Sequence, residues 1–133
     1  VEKLNEWSKF YQIELVCADG FRMDLLKPLL EEAGFEYEFL RNPGAIQSKV
    51  APIIEDGFAN ERFVFEGDNS MIWYTDNTYV KEDKDGNKRF LKKEPVRRKT
   101  DGFHALIAAL YKRELVQESN VGEFLDMIDS WDF

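Results

Sequence analysis

Apolar residues recur along this chain first at helical spacing, then at strand spacing, and the two patterns trade places several times. Val1, Leu4, Trp7, Phe10 and Tyr11 share one helical face, which predicts an amphipathic helix over the first dozen residues. The run Ile13-Glu14-Leu15-Val16-Cys17-Ala18 then predicts a core strand that ends at Asp19 and Gly20. Phe21 to Ala33 is predicted as a helix with Leu26, Leu29, Leu30 and Ala33 on one face, stopped by Gly34, with Pro28 marking a kink or a late start. Phe35-Glu36-Tyr37-Glu38-Phe39 alternates strictly and is the clearest strand signal, its acidic face outward.

Beyond that strand, Arg41-Asn42-Pro43-Gly44 reads as a turn or loop, and a helix carrying Val50, Ile53 and Ile54 is expected to start near Ser48 and to break at Gly57. Phe63 to Phe65 is a short strand candidate, Met71 to Trp73 a helical one. Thr78 to Glu82 and Lys88 to Leu91 are expected to pair across Lys84-Asp85-Gly86-Asn87, where Asp-Gly favours a two-residue hairpin turn. Thr100 to Leu110 closes the series as a helix whose alanines let it lie close to a sheet. Strands alternating with helices, then a hairpin and a last helix, define an α/β domain rather than a bundle or a sandwich. It is expected over residues 1–116. Residues 117–133 form an acidic tail in which Val121, Phe124, Leu125, Ile128 and Trp131 keep helical spacing; it packs back on the domain or docks a partner.

Composition narrows the chemistry. At 133 residues, 44% hydrophobic and 14% aromatic, the chain has enough apolar surface for one core. A single cysteine, Cys17, and a single histidine, His104, exclude an intramolecular disulfide and a zinc-type cluster. Any bound metal is then expected to be a hard, oxygen-ligated cation, and the chain to be cytosolic. No apolar run approaches the roughly 20 residues of a membrane span.

Charge changes the picture more. The formal charge is −8, yet Lys81 to Lys99 carries nine bases against four acids, a local balance of +5. A plain solvated hairpin is one explanation of that run. A phosphate track is the other, with Lys84, Lys88, Arg89, Lys92, Lys93, Arg97, Arg98 and Lys99 as its DNA-binding residues, because the run leads directly to Asp101. Asp19, at the C-terminal end of a predicted strand, stands where open α/β sheets place their sites. Asp101 opens the last helix. Each has a structural alternative: Asp19 as a cap for the helix starting near Phe21, Asp101 as a favourable charge at a helix's positive end. His104, one turn after Asp101, is a candidate near the site, with a structural role as its alternative. Asp24, Asp56 and Asp68 read as solvated acids, with approach of any one of them to a metal as the alternative, and Trp73 as a core residue.

The order of these pieces resembles a known family. Ala18-Asp19-Gly20, a loop entering a helix over residues 45–56, Trp73 with Asn77, Asp85-Gly86-Asn87, and Lys99-Thr100-Asp101-Gly102 before an Ala/Leu/Ile helix look like the C-terminal nuclease domain of tailed-bacteriophage terminase large subunits, over about residues 1–115. The two acids are 82 residues apart. The resemblance implies an RNase H-like mixed sheet flanked by helices, with a basic β-hairpin, and a Mg²⁺- or Mn²⁺-dependent endonuclease that cuts concatemeric viral DNA at packaging initiation and termination. It implies Asp19 and Asp101 as catalytic metal ligands, double-stranded DNA, portal protein and terminase small subunit as partners, and the host bacterial cytoplasm as location. The family's first acid has no counterpart here, so a further ligand is expected upstream of Val1 and the chain is expected to be folded but weakly active or inactive. Two other functions fit the same residues: a non-catalytic DNA- or portal-interaction module, and another RNase H-like nuclease such as a junction resolvase.

Overall fold

The computed structural model describes residues 1–113, in which helices and small sheets form a mixed α/β structure. The chain divides into two compact units, one holding residues 1–41 and the other beginning at Asn42. In the first, α1 (Glu2–Trp7) is followed by β1 (Val16–Asp19), α2 (Met23–Ala33) and β2 (Tyr37–Leu40). β1 and β2 pair in parallel, Val16 opposite Tyr37 and Asp19 opposite Leu40, so α2 is the crossover that a parallel pair requires. Gly34 ends α2 at φ +80°, a left-handed conformation that glycine adopts without strain. The helix starts at Met23 rather than Phe21, behind a left-handed Arg22, and Pro28 stands in its interior. α1 is shorter than its apolar spacing predicts: Phe10 and Tyr11 lie beyond its end and are exposed.

The second unit contains α3 (Pro43–Ala59), α4 (Asn69–Asp76) and the antiparallel hairpin of β3 (Thr78–Glu82) and β4 (Lys88–Lys92), followed by α5, described over residues 101–113. Asn42-Pro43 is therefore a helix start, not a turn. The Asn42 side chain accepts from the Ala45 N–H, and Pro43 occupies the first turn, where its missing N–H costs nothing. Nor does Gly57 break α3; it lies against the Phe63 ring, in the space a Cβ would fill. Phe63 and Phe65 have no strand partner, and instead both pack their rings on Phe58. α4 starts at Asp68, whose carboxylate accepts from the N–H groups of Ser70 and Met71.

The core of this unit lies between α3, α5 and β4. Ile46, Val50 and Ile54 recur every fourth residue on α3, Phe103, Ile107 and Leu110 follow one face of α5 at spacings of four and three, and Phe90 enters from β4; all are buried. Phe90 and Phe103 meet at 5.3 Å between ring centroids. α3 also closes the free edge of β4. The buried Phe90 N–H donates to Gln47 Oε1 at 2.9 Å, and the Ser48 hydroxyl donates to the Lys88 carbonyl at 3.3 Å. Side chains thus occupy positions that a further strand would otherwise pair with.

The hairpin loop has three residues, Lys84-Asp85-Gly86, closed by Asp83 N to Asn87 O at 2.9 Å and Gly86 N to Asp83 O at 3.2 Å. A two-residue turn of the favoured type needs positive φ at both central positions, and here only Gly86, at +81°, has it. Asp83 decides the matter: its Oδ1 accepts from the N–H groups of both Asp85 and Asn87 at 2.9 Å.

Two outcomes follow. Gln47→Leu leaves the Phe90 N–H buried without an acceptor and is expected to cost about 1–3 kcal/mol in denaturant unfolding. The Asn87 N–H, and after it that of Asp85 and the charge of Arg89, outweigh partial desolvation and hold the Asp83 carboxyl below its usual 3.8. Its contribution to the loop is complete above that value and is lost as pH falls through the lower folded-state one. A carbon-detected NMR titration should therefore place Asp83 below 3.8, with the Asn87 amide shift moving in step.

Candidate nucleic-acid interface

α4 and the end of the hairpin together set the start of α5. Asn77, which caps α4, is 3% exposed, and its side-chain amide donates to the Lys99 carbonyl at 2.9 Å while its own carbonyl accepts from the Lys93 N–H at 2.9 Å. One residue thereby pins both ends of the segment from Lys93 to Lys99. Gly102 lies under the Tyr74 ring, in the space a Cβ would occupy. Thr100, 1% exposed, gives its carbonyl to the His104 N–H at 3.0 Å, the first bond of α5. Asp101 thus stands at the first helical position, exposed, and among the described residues its carboxylate has no hydrogen-bond or ion-pair partner.

His104 turns back on the same start. Its Nδ1 lies 3.1 Å from the Thr100 carbonyl, an acceptor, so Nδ1 carries the proton and donates it. Asp19 ends β1 and is also exposed; its Oδ1 accepts from the Phe21 N–H at 3.0 Å, closing a local turn two residues ahead of α2 rather than capping that helix. Asp19 and Asp101 belong to different units. Among the described residues no three His, Cys, Asp or Glu side chains come together as a metal-holding group. Asp56 is engaged with Asn60 and Arg62, and Asp68 with its own helix start.

The basic residues separate into two kinds. Lys84, Arg89, Lys92, Lys93, Arg97, Arg98 and Lys99 are exposed, and among the described residues none forms an ion pair. Lys88 is different: its ammonium donates to both Glu55 oxygens at 2.7 and 2.8 Å, and that hydrogen bond raises its pKa. Its charge is matched on α3, so the expected phosphate track runs without it. Glu94, the acid inside the track, accepts from the N–H groups of Val96 and Arg97 and so bends the segment into a turn. The Arg89 guanidinium reaches the start of α3, within 2.5 Å of where a Cβ on Gly44 would stand.

Trp73, expected in the core, is 45% exposed, its ring 5.4 Å from that of Tyr74. α4 turns Tyr74 inward and leaves Trp73 outside. Sequence reasoning overlooked Gln47, Tyr74 and Tyr79, and counted Lys81 in the basic run without placing it on the track. Once Thr78 to Glu82 is read as a strand, the alternation of side chains common to every strand puts Tyr79 and Lys81 on one face. The segments 114–116 and 117–133, with the expected acidic helix, lie outside the described residues. Among the described residues no helix is long and apolar enough to cross a membrane. Comparison with protein-family models, curated proteins and solved structures gives no match.

Asn77→Ala removes the donor to the Lys99 carbonyl and is expected to cost about 1–3 kcal/mol by denaturant melt. Gly102→Ala drives a methyl into the Tyr74 ring and should cost about as much, ~1–3 kcal/mol. In both variants the amide of His104, which donates the first bond of α5, should exchange faster than in the parent, as hydrogen exchange read by mass spectrometry will show.

Proposed function

We propose that this chain is the DNA-engaging part of a metal-dependent endonuclease domain of the RNase H-like kind, as in phage terminase large subunits, acting on double-stranded DNA in a bacterial host. One observation carries the proposal. Seven exposed cations from Lys84 to Lys99, without ion pairs among the described residues, lie on one ribbon that runs into the helix start bearing the exposed Asp101 carboxylate, in a chain whose net charge is −8. Phosphates are the natural counter-charge for such a ribbon, and an acid at its end is where a hydrolytic site needs one.

The division of labour then follows. Lys92, Lys93, Arg97, Arg98 and Lys99 neutralise successive phosphates; Asn77 and Glu94 hold the backbone that carries them; Asp101 offers one carboxylate. The Mg²⁺ or Mn²⁺ that the resemblance implies would supply charge neutralisation and an activated water when bound. Two-metal hydrolysis holds its cations about 3.5–4 Å apart and needs several acids. Among the described residues no such group is assembled, so no step is derived through the metal, and Asp19 enters the proposal on the resemblance alone. Portal protein and small subunit belong to it as partners on resemblance alone.

The test has two arms. Replacing Lys92, Arg97, Arg98 and Lys99 together by Gln should flatten the log–log salt dependence of duplex binding by about 3.6, at about 0.9 per lost phosphate contact. An unchanged slope in fluorescence anisotropy would remove the track. Asp101→Asn should abolish Mn²⁺-dependent nicking of supercoiled DNA while leaving duplex binding and Tm as in the parent. Duplex binding with no nicking by the parent selects the non-catalytic DNA-interaction module instead.

A further inference from the structure

The pairing of β3 with β4 sorts the hairpin's charges by face. Side chains alternate along each strand, so the register Lys81 opposite Arg89 and Tyr79 opposite Leu91 puts these four on one face, with Glu82, Lys88, Val80 and Phe90 on the other. On the second face Phe90 is 2% exposed and Lys88 is held by Glu55 with Glu82 opposite it, while Val80 and Lys92 stay exposed. On the first, no cation has an ion pair among the described residues, although the Arg89 guanidinium reaches the start of α3. Tyr79 is 43% exposed, Lys81 and Arg89 are exposed, and Lys93 continues the same face, joined to Asn77 by the next backbone bond. The acid nearest this face, Asp83, spends its carboxylate on the loop's own N–H groups.

Lys81 and Arg89 directly opposite each other are a like-charge pair, an arrangement that destabilises a hairpin unless an anion lies across it. Tyr79 occupies the rung between that pair and Lys93, which stands four residues or ~13 Å along β4 from Arg89. An exposed aromatic ring set between cations has a specific complement. Duplex bases are stacked on each other and cannot offer a face to such a ring, whereas an unpaired strand can, with its phosphates on the flanking cations.

We infer that this face of the hairpin is a track for unpaired DNA, with Tyr79 stacking a base and Lys81, Arg89 and Lys93 holding the adjoining phosphates. The inference deepens the DNA reading above and rests on it for the choice of nucleic acid; it moves Arg89 and Lys93, on this face, from the duplex track to a separated strand, while Lys92, on the hairpin's other face, and Arg97 to Lys99 keep the duplex. Tyr79 and Lys81 are new members of the interface.

Fluorescence anisotropy with a labelled oligothymidylate and, separately, a labelled duplex tests it on the whole chain. Tyr79→Ala should weaken oligothymidylate binding roughly tenfold and leave duplex binding within about twofold; Tyr79→Phe should restore the affinity. Lys81→Met should flatten the single-strand salt slope by about 0.7. Circular dichroism matching the parent confirms that the hairpin is intact in each. Equal losses on both probes, or no loss on either, overturn the inference. A parent that binds oligothymidylate in a Tyr79-dependent way but not duplex sinks the duplex proposal and sustains this one; a parent that binds duplex alone does the reverse.

Discussion

A single buried hydrogen bond, from the Phe90 N–H to the Gln47 side chain, orients most of the second unit. A two-stranded hairpin has two faces and two edges, and is marginal by itself in water. Here α3 takes the edge of β4 through Gln47 and Ser48, and the aromatic cluster of Phe58, Phe90 and Phe103 takes one face. What remains is a face that cannot be buried, because Lys81, Arg89 and Lys93 stand on it. An unmade bond to a buried amide costs more than most surface contacts return. The orientation of the hairpin on α3 is therefore decided inside the core, and the exposure of its basic face is the consequence.

Asn77 plays the corresponding part at the other end. Its buried amide and carbonyl tie the residues that enter and leave the Lys93–Lys99 segment, so a stretch without regular structure is held at both ends. The close approach of Tyr74 to Gly102 adds a steric constraint. Together they fix the start of α5 and hence where Asp101 stands. The resemblance to terminases singled out Trp73, Asn77 and Gly102 without giving a physical reason for them. Two of the three have a mechanical one: Asn77 clamps and Gly102 admits a ring. Trp73, exposed, does neither.

What the sequence made legible was periodicity. The helices over 23–33 and 43–59, the strand at 37–40 and the hairpin all sit on patterns of apolar spacing, and the mixed α/β class follows from their order. The misjudged places are those where one side chain overrules a pattern. Asp-Gly favours a short turn until Asp83 captures two amides and lengthens it. Asn42-Pro43 looks like a turn until the asparagine is seen to cap a helix. Gly57 looks like a stop until Phe63 fills its place, and Lys88 looks like a phosphate contact until Glu55, 33 residues earlier, is found beside it. Contacts between distant residues leave no trace in local spacing. The carboxylates Asp19 and Asp101 were picked out by position at element ends, and both do end up exposed at such ends.

Net charge is the wrong quantity for judging whether this chain meets nucleic acid. At physiological ionic strength a charge is screened over about 8 Å, so acids elsewhere on the surface act weakly on a phosphate resting on the hairpin. What counts is which cations lie within that distance without a partner of their own. Within Lys81 to Lys99 nine bases stand against four acids, and among the described residues no ion pair joins a base to an acid of that run. Lys88 is matched by Glu55 on α3, while Asp83 and Glu94 turn their oxygens toward backbone N–H groups and keep their charge. An acidic protein can thus carry a basic element, because the local excess of bases within one screening length, not the net charge, sets the field that a phosphate meets.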